Sequence, residues 1–122
     1  MSIHEVFSAD ELDAFLSKSK TQLVIVKFGA EWCRPCNELQ PHVDALAAEL
    51  EEGRRDVKFV KVEKTDETEE LFERYEVTKL PTLILSVDND TKNTLHRPDP
   101  DELRKQIFTL LPPPPLILDE DF

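Results

Sequence analysis

The chain has 122 residues, of which 39% are apolar and 34% charged, with a formal net charge of −11. That length suits one domain with a single core, and the composition is that of a small globule with a heavily charged surface. The acid excess speaks against a nucleic-acid or anionic-membrane surface, since both need clustered Lys and Arg; it serves solubility, or else a preference for basic partner proteins.

In chain order, residues 3–7 read as a short edge strand. Ser8-Ala9-Asp10-Glu11 reads as a capping box, with the Ser8 hydroxyl accepting from the third helical N–H while Glu11 reaches back. Leu12, Phe15 and Leu16 follow at helical spacing and carry a helix to about Lys20. Residues 23–28 are a nearly continuous, β-branched apolar run, the pattern of a strand buried on both faces in a parallel sheet. Residues 29–32 turn the chain. A helix is then expected from Cys33 to about Glu52, with Leu39, Val43, Leu46, Ala47 and Leu50 inward, a kink at Pro41 and a stop at Gly53.

Residues 57–62 form the next strand, and residues 67–75 a short acidic helix with Leu71, Phe72 and Tyr75 as packing residues. Residues 83–87 and 92–96 make a hairpin about Asp88-Asn89-Asp90. Asp99 caps a last helix, with Pro100 at its first position and Leu103, Ile107, Leu110 and Leu111 as its core face. Pro112 ends it. The order is βαβαβαββα, an α/β chain whose first strands favour parallel pairing and whose last two pair antiparallel.

The chemistry lies in Trp32-Cys33-Arg34-Pro35-Cys36, which holds both cysteines of the chain. Two cysteines are too few for a secreted disulfide framework, Met1-Ser2-Ile3-His4-Glu5 lacks the basic and apolar regions of a signal peptide, and no apolar run reaches the ~18–20 residues of a membrane span. A reducing, cytoplasmic setting is expected, where a Cys-x-x-Cys is more often catalytic or metal-binding than structural. At a helix N-terminus, unpaired N–H groups and the helix dipole favour a thiolate on Cys33. Arg34 adds a positive charge beside it, and Pro35 suits the first turn. Cys36 lies on the same helical face, so Cys33 would attack a target disulfide and Cys36 would displace the reduced target. Trp32 would shield the site and offer a contact surface. Structural zinc uses the same spacing but wants four ligands, and His4, His42 and His96 are scattered without forming a second pair. Zinc and an inert pair remain the alternatives from spacing alone.

Phe28, Ala30-Glu31-Trp32-Cys33 and Pro35-Cys36, with Pro41 beyond them, resemble the active-site segment of the thioredoxin family. Leu80-Pro81-Thr82 resembles that family's cis-proline loop, and the likeness runs over about residues 3–111. It implies the thioredoxin fold, a central mixed sheet with helices on both faces, and a protein disulfide oxidoreductase. Cys33 would be the nucleophile and Cys36 the resolving cysteine, joined as a redox-active disulfide. Pro81 would be cis against that disulfide, keeping a backbone edge open for substrate beside Trp32, Leu80, Thr82 and Arg97. No bound cofactor or metal is implied. Electrons would come from a reductase or a small dithiol and pass to disulfide-containing target proteins, with the protein itself a monomer.

Three departures from the family pattern stand out. Arg34 replaces the usual Gly, which predicts a stabilised Cys33 thiolate and a more oxidising pair. Lys27 stands where the family usually carries a buried Asp, and Lys61 resembles the lysine that faces it. Lys27 would then act as an amine base for Cys36 or stabilise its thiolate; otherwise it reaches the strand edge, or pairs with an acid such as Glu63, and leaves Cys36 without a carboxylate partner. His96-Arg97-Pro98 stands where the family usually has a glycine, and with Arg34 makes the contact patch more cationic, unless it is simply a tolerated loop.

The chain thus divides into a thioredoxin-like domain, residues 1–111, and a proline-rich, acidic and hydrophobic tail, residues 112–122. The tail is either a docking peptide or an extension folded back on its own domain. The alternative function is a binding or assembly subunit of a larger complex, docked through that tail.

Overall fold

The computed structural model describes residues 3–20 and 22–112. Its elements are β1 (Ile3–Val6), α1 (Ala9–Lys18), β2 (Leu23–Gly29), α2 (Arg34–Glu52), β3 (Val57–Glu63), α3 (Glu69–Arg74), β4 (Thr82–Val87), β5 (Asp90–His96) and α4 (Pro100–Leu110). The tail beyond Pro112, with both readings attached to it, lies outside the described residues.

The strands form one mixed sheet in the order β1-β3-β2-β4-β5. β1 and β2 flank β3 in parallel, while β4 runs antiparallel to both β2 and β5. The apolar run of β2 lies in the middle of this sheet and is buried along its whole length. Period-two alternation divides its side chains between two cores. Leu23 and Ile25 face Leu39, Val43, Leu46 and Leu50 of α2 and Leu103 and Ile107 of α4. Val24, Val26 and Phe28 face Leu12 and Leu16 of α1 and Leu71 and Phe72 of α3. Phe28 meets the Phe72 ring edge-on at 5.1 Å, and full burial of a side chain that size contributes about 2–3 kcal/mol.

The helix ends follow the local chemistry. Ser8 accepts from Glu11 N and Asp99 from Glu102 N. Glu11 reaches back one residue further than a capping box requires, accepting from Phe7 N at 2.9 Å. Gly53 closes α2. α1 stops at Lys18 because Ser19 caps it, its N–H on Leu16 O. α3 is shorter than expected: the Thr68 hydroxyl bonds Glu63 O at 2.6 Å and so fastens the loop to the end of β3 instead of capping the helix. The hairpin turn tightens to Asp88 and Asn89, at φ 55° and 61°, the left-handed pair of a two-residue loop, so β5 begins earlier than expected, at Asp90.

Candidate active site

The site forms where β2 hands over to α2. Gly29 ends the strand, and the turn through Trp32 is closed by Cys33 N on Ala30 O at 3.0 Å and by the Asn37 amide on Glu31 O at 3.1 Å. The helix opens one residue later than the sequence suggests, because Cys33 is its N-cap with extended backbone, φ −86° and ψ 110°. Its sulfur takes the place of a capping oxygen, accepting from Cys36 N at 3.3 Å. Arg34 and Pro35 occupy the first turn, where the missing proline N–H leaves no gap.

Cys33 and Cys36 are joined as a disulfide with Cα atoms 5.3 Å apart. Both are buried, together with Ala30 and against Leu80. Only Cys33 lines the groove beside the pair, a hollow of about 330 Å³ walled by Trp32, Phe72, Val77 and Leu80 and edged by Arg34, Lys64 and Arg97. Trp32 is 74% exposed, so it stands beside the site as a free face and does not cover it.

The Leu80–Pro81 bond is cis. Thr82, expected at the substrate edge, is fully buried, its hydroxyl donating to Lys79 O at 2.6 Å and lying 3.1 Å from His96 Nδ1. It shapes the loop and offers no side chain to a ligand. Arg97 takes a left-handed backbone, φ 49°, which glycine adopts without strain. Its N–H bonds Pro81 O at 2.8 Å and its Nε bonds Leu80 O at 2.9 Å, tying it to the cis-proline loop.

Arg34 is beside Cys33 in the sequence, yet its side chain is 88% exposed and pairs with Glu38 one turn along at 3.2 Å. Its charge is shared and solvated, which weakens its hold on the sulfur.

Lys27 overturns the expectation that it escapes to the strand edge or pairs with Glu63. It is 4% exposed, and its Nζ donates to Gln40 Oε1 and, at 3.3 Å, to Cys36 O. Alternation explains the placement: Lys27 continues the Leu23–Ile25 stripe toward α2. The Gln40 amide passes the contact on to Asp44 Oδ1 at 2.9 Å. Burial lowers the Lys27 pKa to about 8, helped by Lys61, its register partner on β3, and opposed by Glu63 and Asp44. Lys61 approaches Glu63 at 4.0 Å.

Sequence reasoning missed Gln40 and Gly29 as site residues and considered Glu63 only as an ion partner for Lys27. Gly29 is the register partner of Glu63. A Cβ at Gly29 would sit 3.3 Å from Cys36 Sγ and 3.4 Å from Glu63 Oε2. Period two along β2 and β3 puts Lys27, Gly29, Lys61 and Glu63 on the α2 side, a signal already present in the sequence. Among the described residues, no group of His, Cys, Asp or Glu is arranged to hold a metal ion.

The family model described as Thioredoxin matches residues 4–109. The chain is 34% identical over 111 residues to Thioredoxin H2-1 of Oryza sativa subsp. japonica, covering 90% of this chain and 75% of that one. It is 40% identical over 86 residues to a thioredoxin of Chlamydia pneumoniae, covering 70% and 76%. Among solved structures, Fasciola hepatica thioredoxin superposes with a TM-score of 0.78 at 31% identity, covering 87% of this chain and 97% of the other. Thioredoxin NaTrxh of Nicotiana alata gives 0.81 at 26%, covering 91% and 94%.

Proposed function

The chain belongs to the thioredoxin family, and from that membership we propose that Cys33 is the sulfur that attacks target disulfides and Cys36 the one that resolves them. The activity is thiol–disulfide exchange. In the reduced protein the Cys33 thiolate attacks one sulfur of a target disulfide and forms a mixed disulfide. Cys36 then displaces the target, leaving the Cys33–Cys36 bond described above.

The observation that carries this division of labour is that Cys33 lines the groove while Cys36 lies beneath it and donates its N–H to the Cys33 sulfur at 3.3 Å. That bond and the open helix end both favour negative charge on Cys33. A target would lie along Trp32, Leu80 and Pro81. Three cations and no carboxylate edge the groove, on a chain of net charge −11. Disulfides flanked by acidic residues therefore fit it best.

The direction we assign is reduction of protein disulfides, in a cytoplasmic setting, by a monomer recharged by a reductase or a small dithiol. Arg34, the departure that points toward an oxidant, spreads its charge into solvent and onto Glu38. Reduction of insulin under a dithiol regenerant tests the reading: the wild type should accelerate precipitation of the reduced chains, and Cys33→Ser should not. Equal rates from the two proteins would overturn it.

A further inference from the structure

Resolution of the mixed disulfide needs a thiolate on Cys36, and Cys36 is only 2% exposed. At that burial direct transfer of its proton to bulk water is slow near neutral pH, and a neighbouring acceptor speeds the step. Lys27 is the candidate that the family pattern suggests. At pH 7, however, below its pKa of about 8, Lys27 is chiefly an ammonium, which has no lone pair to accept with, and its Nζ is turned to Gln40 Oε1 and Cys36 O.

Glu63 lies on the other side. Cys36 Sγ and Glu63 Oε2 flank one point, the place where a side-chain carbon on Gly29 would sit, at 3.3 and 3.4 Å. Because residue 29 is glycine, no protein atom of its side chain separates them. We propose that Glu63 is the proton acceptor for Cys36 in the resolution step, a role for a carboxylate reached from the neighbouring strand. This rests on the assignment of Cys36 as the resolving sulfur.

The surroundings fit the role. The Glu63 backbone is held on both sides, by Thr68 Oγ1 on its carbonyl at 2.6 Å and by Lys64 N on Gly29 O at 2.9 Å. Its Oε1 faces Lys61 at 4.0 Å, while its Oε2 borders the space that the Gly29 side chain leaves empty. The side chain is 24% exposed, so a proton taken from the buried thiol has a way out to solvent. Glu63 also acts electrostatically on Lys27 of β2, which in turn feels Lys61 of β3 and Asp44 of α2.

The step balances. The Cys36 S–H proton moves to Glu63 Oε2, and the Cys36 sulfur attacks Cys33 Sγ. The Cys33–Cys36 bond forms as the Cys33–target bond breaks. The target sulfur leaves with the electron pair and takes up a proton. The two thiols of the protein have lost two electrons and the target disulfide has gained them.

The experiment is single-turnover reduction of a disulfide peptide by the pre-reduced protein, with attack and resolution followed separately. Attack alone is read in the Cys36→Ser background as formation of the mixed disulfide. Failure to form it there would strike at the assignment of the two cysteines, and is distinguishable from failure of the Glu63 role. The role itself predicts that Glu63→Gln leaves the attack rate within twofold and slows resolution tenfold or more at pH 7. The loss should shrink as pH rises through the thiol range, where hydroxide replaces the base. Glu63→Asp should recover part of the rate, which a merely structural loss would not allow. The proposal is overturned if Glu63→Gln resolves at the wild-type rate across the pH range, if it slows attack and resolution equally, or if Lys27→Met alone abolishes the pH dependence.

Discussion

Lys27 donates from its buried Nζ to the backbone carbonyl of Cys36 at 3.3 Å, so the strand before the active site and the helix after it are joined through a lysine. The pKa of that lysine is lowered from 10.5 to about 8, chiefly by burial. Below about pH 8 it is charged both folded and unfolded, and the folded state bears the full penalty of a buried charge. Between about 8 and 10.5 the unfolded chain binds more protons than the folded one, so stability rises with pH across that window. The oxidised wild type should gain up to ~3 kcal/mol there relative to Lys27→Met, whose own curve lacks this contribution. Denaturant unfolding of the two proteins at pH 7, 8, 9 and 10 measures the difference. A constant difference would mean that the lysine does not titrate as described.

Gly29→Ala should be destabilising although the glycine has no left-handed backbone to protect. Its new methyl would meet Cys36 Sγ at 3.3 Å, tighter than ordinary packing, and would touch Glu63 Oε2 at 3.4 Å. Overpacking of this kind costs about 1–2 kcal/mol. Urea unfolding of the oxidised protein reads the cost directly, and an unchanged midpoint would show that the site has room to spare.

Arg34→Gly tests how far the exposed arginine biases the pair. With its guanidinium 88% exposed and bonded to Glu38, it should raise the reduction potential only by the worth of a surface charge, about 10–20 mV. Titration against a glutathione buffer should find the variant lower by that much. A drop several times larger would mean that the arginine acts on the sulfur without this screening.

Arg97 combines a strained backbone with a useful bond, and substitutions separate the two. Arg97→Gly relieves the left-handed φ of 49° while losing the Nε bond to Leu80 O. Arg97→Ala loses the bond and keeps the strain. The alanine variant should therefore be the less stable of the two by about 1 kcal/mol. Both should lose preference for disulfide peptides with acidic flanks over basic ones, measured as a ratio of kcat/KM values at low salt.

Much of this fold is legible in the residue pattern, for identifiable reasons. Ser8 and Asp99 mark helix starts because their oxygens accept the second or third helical N–H, and both are seen doing so. The unbroken apolar run from Leu23 announces a strand covered on both faces, and α1, α2, α3 and α4 cover it. The surroundings of Lys27 are not legible in the same way. Alternation tells which face of β2 it occupies but not that Gln40, a turn beyond Cys36, comes down to meet it. Glu63 is hidden for a related reason: its nearness to Cys36 depends on parallel register between β2 and β3, which pairs it with Gly29 and which neither segment encodes alone. Thr82 shows the reverse case, a residue next to the cis-proline whose hydroxyl turns inward to Lys79 O.

The most direct test of the account is the covalent intermediate itself. Reduced Cys36→Ser, mixed with a disulfide-containing target and quenched with acid, should yield one adduct, mapped by mass spectrometry of its peptides to Cys33. Cys33→Ser treated alike should yield none on the same timescale. An adduct carried by Cys36 in the Cys33→Ser protein, formed as fast as the first, would contradict the assignment of the groove-lining sulfur as the nucleophile.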